Sequence, residues 1–280
     1  MERPASAPAS VTRSALAADL RALGVRKGGV TMVHTRMSAI GWVVGGAETV
    51  VRALLDALGA RGTLMAYTSW EEHAYHPGER PAAHRRAYAA EPPAFDPAVS
   101  EAVRGHGRVP ERIRTWPGAL RSDHPEASVA AVGPLADRLT RDHPAHDSYG
   151  PDSPFARLVA EDGQVLMLGA PLDTVTLLHH AEAIAAVDDR RRVASRVPVL
   201  EDGRVVERAY RDIDTAEGAF DYGRLGLDDD PFAVIAREAL AGGVGVRGRV
   251  GAADSHLFPA PALTAFATAW LEARFGGSPR

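Results

Sequence analysis

Between residues 29 and 70 the hydrophobic pattern runs from a strand, GVTMVHT (29–35), through SAIGWVVGG to a helix, AETVVRALLDALGA (47–60), and back to a strand, GTLMAYTSW (62–70). A strand, loop, helix and strand in that order bring two strands into a parallel or mixed sheet with helices against its faces. The same change of period recurs where the apolar run QVLMLGA (164–170) precedes the helical segment DTVTLLHHAEA (173–183). An α/β fold follows, its sheet parallel or mixed and flanked by helices.

The rest of the chain fits that class. TRSALAADLRALGV reads as an amphipathic helix ending at Gly24, after a disordered tail over residues 1–10 rich in Pro, Ala and Ser. Further helices are predicted near 97–105, 134–141, 153–160, 231–241 and 260–274, and strands near 127–132, 164–169, 196–200 and 204–211. Residues 71–97, rich in His, Pro, Arg and Glu, read as a long surface excursion of the kind that often carries function. No internal repeat or linker divides the chain, so residues 11–280 are expected to form a single domain. With 280 residues, 45% of them hydrophobic, a full core is within reach.

Composition removes several classes of function. There is no cysteine, hence no disulfide, thiolate metal site or cysteine nucleophile. A formal charge of −4 lacks the basic face of a nucleic-acid binder and suits a cationic partner better. No run is long and apolar enough for a membrane span, and the start MERPASAPAS is unlike a signal peptide, so the expected compartment is the cytoplasm. His73/His76 and His143/His146 have metal-like spacing but no third ligand, and no metal is expected. GVGVRG (243–248) matches a dinucleotide pattern but lacks the βαβ context, and it reads as a loop.

The helical segment carries the sharpest chemical signal. At about 100° per residue, Thr176, His179 and Glu182 fall on one stripe, the outer two about 60° either side of the histidine. Leu177, Leu178, Ala181, Ile184 and Ala185 occupy the other side, the pattern of a buried helix that turns His179 into a cleft. Asp173 or Thr174 would cap the helix and leave His179 within two turns of its positive end. Two readings stand: a core histidine bonded to a carbonyl, or a base with Glu182 holding its second ring nitrogen.

Other segments add chemistry at a coarser level. MVHTRMSAIGWVVGGAETV (32–50) offers a histidine, two hydroxyls and a Gly45-Gly46 turn whose helix could meet phosphate oxygens. RSDHPEASVAAVG (121–133) is a polar loop entering an apolar run. Acids gather at Glu71, Glu72, Asp173, Asp212, Asp214 and Asp221; scattered, they are solvated surface, and converged, they would hold a polycation.

Taken in order, VHTRMSAIGWVVGGAETV, GTLMAYTSW, PPAFDPA, RSDHPEASVAAVGPLA, SPFARL, GQVLMLGAPLDTVTLLHHAEA and VGVRGRVGAADSHLF make the chain resemble the aminoglycoside 3-N-acetyltransferases of the antibiotic N-acetyltransferase family, over about residues 12–275. The resemblance implies a single α/β domain, a mixed β-sheet flanked by helices, and transfer of acetyl from acetyl-CoA to the 3-amino group of a 2-deoxystreptamine antibiotic. It implies His179 as general base with Thr176 beside it. The family's acidic pair corresponds to Asp212 and Asp214, the first commonly a glutamate, and either Glu182 or Asp212 would orient the ring. His34, Thr35, Ser38, Ser122, His124 and Ser128 would lie along the CoA cleft, with Glu71 and Glu72 facing the antibiotic. The pyrophosphate loop of the GNAT superfamily is missing, and arylamine acetyltransferases need a cysteine that this chain lacks.

The implied mechanism is direct attack in a ternary complex, His179 removing the amine's proton. Two other readings remain at this level: the same scaffold acetylating a non-antibiotic amine, or a catalytically silent binder of cationic small molecules. Monomer and homodimer are equally compatible with the sequence.

Overall fold

The computed structural model describes residues 10–72 and 81–277. At its centre β2 (Val30–Thr35) runs parallel to β4 (Thr63–Tyr67) on one side and to β7 (Gln164–Leu168) on the other. Antiparallel strands extend both flanks: β6 (Val129–Val132) and β5 (Leu120–Arg121) beyond β4, then β11 (Ala253–Pro259) and β10 (Val246–Val250) beyond β7. The seven-stranded order is β10-β11-β7-β2-β4-β6-β5, a mixed sheet as expected.

Side-chain alternation divides the core into two layers. Val33, Leu64, Ala66, Leu166 and Leu168 face α1 (Arg13–Leu23), α3 (Gly46–Leu58) and α5 (Arg108–Arg114). Met32, Met65, Val165 and Met167 face the other way. They pack with α6 (Ala136–Thr140), α7 (Pro154–Ala160), α8 (Leu177–Ile184), α9 (Pro231–Ala241) and α10 (Ala260–Phe275). Local signals set the helix ends. Thr12 caps α1 through the Ala15 N–H and Gly24 closes it at φ 108°, while Ser153 and Asp230 cap α7 and α9 just before a proline. On α3 the buried stripe is Val50, Val51, Ala53, Leu54, Ala57 and Leu58, each leucine stabilising the fold by about 1.5–3 kcal/mol.

Several expectations need correction. The segment 173–183 is not one helix: a 3-10 turn (Leu172–Thr174) precedes α8, whose N-cap is Thr176 rather than Asp173 or Thr174. Instead of a helix over 97–105 there is an Asp96 turn, with its carboxylate on the Ala98 N–H, and a short 3-10 turn (Arg104–His106). Gly105 and Gly107 interrupt that stretch, and the helix begins at α5. The Gly-rich 243–259 stretch forms the β10–β11 hairpin, closed by Gly251 at φ 58°. Ser10, which the expected tail included, pairs instead as part of β1 (Ser10–Val11) with β3 (Trp42–Val43); residues 1–9 and the His73/His76 pair lie outside the described residues. Part of the 71–97 excursion is helical, α4 (Ala82–Ala90), with no buried residue.

The long hairpin of β8 (Arg192–Glu201) and β9 (Arg204–Ile213) is fastened to the main body through buried polar groups. Asp212 accepts from the backbone N–H of Ser148 at 3.0 Å and from its hydroxyl. His143 Nε2 donates to the Ser148 carbonyl at 2.9 Å, so its Nδ1 accepts from the Ser122 hydroxyl, also at 2.9 Å. Burial pushes the His143 ring down from 6.5 to about 3. The unfolded chain therefore binds a proton there that the folded protein refuses between those values. The share of stability that rests on a neutral His143 is fully present above pH 6.5 and is lost as pH drops towards 3, by up to about 1.4 kcal/mol per pH unit. Urea unfolding across that range will show the decline, and His143→Gln will make it shallower.

Candidate active site

The carboxyl ends of β2, β4 and β7 meet at one edge of the sheet, where strand order diverges from β2 in both directions. Ligands of open α/β sheets settle at such switch points. Here a cleft of about 540 Å³ is lined by His34 and Thr35 from the end of β2, Tyr67 from the end of β4, and Thr176 and His179 from the start of α8. Period-2 alternation explains the first contributors: His34 follows Met32, and Tyr67 follows Met65, on the face that α8 covers. Gly169 at φ 65° lets the chain leave β7 beside α2 (Met37–Ile40), since a Cβ there would sit 2.7 Å from that of Ala39.

His179 occupies the first turn of α8, its N–H bonded to the Thr176 carbonyl at 3.1 Å. Its Nδ1 lies 2.7 Å from Oε2 of Glu182, one turn on, and the Glu182 side chain is only 1% exposed. An ionised carboxylate only accepts, so Nδ1 carries the ring proton and the Nε2 lone pair is left to the cleft. The rings of Tyr149 and Phe232 stand 5.1 and 4.7 Å from the imidazole and fix its position. The adjacent His180 plays the part of a satisfied core histidine: burial lowers its basicity, and its Nδ1 bonds the Tyr149 carbonyl at 2.7 Å.

The stripe of Thr176, His179 and Glu182 thus exists, and of the two acids left open, Glu182 is the one bonded to the ring. Asp212 is engaged by Ser148 and by the Ile213 N–H instead. His34 and Thr35 line the cleft, and His34 Nε2 and Thr35 Oγ1 are buried with no hydrogen bond among the described residues. Burial and the nearby His106 ring push His34 down to about 3, so it is a neutral ring near neutral pH. Ser38 is exposed on α2 and outside this lining.

Ser122, His124 and Ser128 are buried behind the cleft rather than along it. Ser122 belongs to the His143 network, His124 Nδ1 accepts from the Ala127 N–H, and Ser128 meets Thr68 and Arg121. Glu71 and Glu72 also lie off the lining: Glu71 accepts the Arg104 N–H at 2.7 Å, and the Glu72 carbonyl accepts from Tyr88. Asp214 caps the Ala216 and Glu217 N–H groups. Asp173 is the acid that reaches the cleft, at its exposed mouth.

The residues that sequence reasoning passed over are mainly aromatic. Tyr67 was legible in principle as the last residue of a strand flanking the switch point. Tyr149, His106, Thr215 and Phe232 arrive from loops and a helix start with no periodic signal. Tyr67 donates to the Glu126 carbonyl at 2.9 Å and lies 3.0 Å from the Tyr149 hydroxyl, tying the cleft floor together. Among the described residues no group of three or more His, Asp or Glu is placed to hold a metal, and no helix is long and apolar enough to cross a membrane.

The chain is similar to known proteins over most of its length. The family model for aminoglycoside 3-N-acetyltransferases matches residues 32–272. The chain is 55% identical to aminoglycoside N(3)-acetyltransferase VIII of Streptomyces fradiae over 270 residues, 96% of this chain and 94% of the relative. It superposes on AAC-IIIb, solved as a binary complex with CoASH, with a TM-score of 0.87 and 43% identity, covering 97% of this chain and 100% of that one. For AAC-VIa bound to sisomicin the TM-score is 0.87 and the identity 40%, covering 96% and 100%. The chain belongs to the aminoglycoside 3-N-acetyltransferase family.

Proposed function

We propose that the chain acetylates the 3-amino group of 2-deoxystreptamine antibiotics from acetyl-CoA, with His179 as general base and Glu182 as its orienting acid. The observation that carries the reading is the imidazole at the cleft whose Nδ1 is held by a buried carboxylate while Nε2 is left to accept a proton. An antibiotic amine is largely an ammonium at neutral pH and has no lone pair until a base removes its proton. His179 Nε2 takes that proton, and Glu182 stabilises the resulting imidazolium.

Bound acetyl-CoA supplies the acetyl group as a thioester, from which CoA departs as the thiol. The neutral His34 ring and the Thr35 hydroxyl, both buried without a hydrogen bond, suit the amide-bearing arm of such a molecule. A neighbouring cleft of about 840 Å³ offers its phosphates the Gly45-Gly46 turn that opens α3 and the Arg108 side chain, while Arg112 in the same lining is paired with Glu48. The Thr176 hydroxyl caps no backbone N–H of α8 and lines the cleft, where it can donate to the acetyl oxygen as negative charge builds there. Asp173 meets the cationic antibiotic at the mouth. Dependence on acetyl-CoA is consistent with work in the cytoplasm.

His179→Ala will lower kcat by about 10²–10⁴ with little change in thermal stability. Near wild-type turnover by that variant, in an assay of CoA release with a gentamicin-type substrate, would remove His179 from the mechanism. Because no acceptor for a covalent acetyl group is invoked, initial-rate patterns will be sequential, and ping-pong kinetics would contradict direct transfer.

A further inference from the structure

We propose that Tyr222 is a positioning residue for the base: its hydroxyl donates to Oε1 of Glu182 at 2.6 Å while His179 Nδ1 donates to Oε2 at 2.7 Å, so a tyrosine far along the chain sets both the plane and the basicity of the carboxylate that holds the imidazole. This rests on the reading of His179 as the base.

Glu182 is nearly sealed from solvent, and each of its oxygens has a donor from a different element: α8 supplies the histidine, and the 3-10 turn Tyr222–Leu225 supplies the tyrosine. With one donor alone the carboxylate could swivel about its terminal torsion and carry the ring with it. The tyrosine is held in turn. Phe275 of α10 meets its ring edge-on at 5.3 Å, and Phe220 stands at 6.2 Å. Gly218 leaves the space, since a Cβ there would lie 3.1 Å from the ring. Burial and the Glu182 charge push the Tyr222 hydroxyl far up, so it keeps its proton and remains a donor throughout the working range.

The other titratable and charged groups around the pair are accounted for. Asp230, the N-cap of α9, acts on the tyrosine; Tyr149 flanks the His179 ring; His180 bonds the Tyr149 carbonyl; Asp173 lies at the cleft. From α10, Glu272 caps the Ala186 N–H just beyond α8. None of these bonds is to the Glu182 carboxylate.

A neutral donor on a buried carboxylate spreads its charge and weakens its hold on a shared proton. Removing that donor makes the His179–Glu182 pair bind its proton more tightly, whichever of the two carries it. In the full-length enzyme, Tyr222→Phe keeps the ring and loses only the hydroxyl. The acid limb of its kcat/KM profile, measured with acetyl-CoA and a gentamicin-type substrate, will move up by about 0.5–1.5 pH units. KM for both substrates will stay within about twofold, as expected for a group that touches neither. In a Glu182→Gln background the same substitution will shift nothing further. An acid limb coincident with wild type, or equal shifts in both backgrounds, overturns the proposal and leaves His179 as base untouched. Full activity of His179→Ala would instead remove the reading beneath it.

Discussion

The placement of β2 between β4 and β7, parallel to both, is the constraint on which the rest depends. Parallel neighbours must end at the same edge, so the residues following Thr35, Tyr67 and Leu168 are delivered to one place however far apart they lie in sequence. α8 begins at that edge because it follows β7, and its first turn therefore carries Thr176 and His179 into the cleft. The antiparallel strands outside this trio widen the sheet without adding another such edge.

Two of the buried acids near the site, Asp212 and Glu182, have partners of different kinds. Asp212 spends its carboxylate on Ser148, joining the β8–β9 hairpin to the loop that presents Tyr149. Burial raises its tendency to hold a proton, and the Ser148 bonds work against that. Glu182 is buried as deeply but faces a titratable ring, so its charge bears on the imidazole. Asp212, near the end of β9, could be matched to a family acid in sequence, yet sequence separation does not show which way a carboxylate turns at the end of a strand.

Much of the fold was legible because it rests on periodicity. The segments GVTMVHT, AETVVRALLDALGA and QVLMLGA alternate or repeat as their burial requires, and each became the element expected. What stayed hidden has local causes. The β10–β11 hairpin is Gly- and Arg-rich with an exposed face, so its pattern resembles a loop. In the site, the stripe was visible because Thr176, His179 and Glu182 lie three residues apart, the first as the N-cap of α8 and the others within it. The CoA-cleft assignment of Ser122, His124 and Ser128 concerned side chains whose partners come from distant segments, and no local pattern distinguishes a hydroxyl facing a cleft from one facing Arg121 or His143.

The acid-rich stretch between Asp212 and Asp230 has no readable structure in sequence and is expected only to help set which antibiotics fit. Its 3-10 turn, however, bonds Glu182, the acid that holds His179, and a Cβ at Gly218 would lie 3.1 Å from the tyrosine ring that does so. Length changes there would disturb the Tyr222–Glu182–His179 hydrogen bonds as well as the opening. Around Glu71 and α4, which lie off the cleft lining, the chain can change in length without touching any bond to His179 or Glu182.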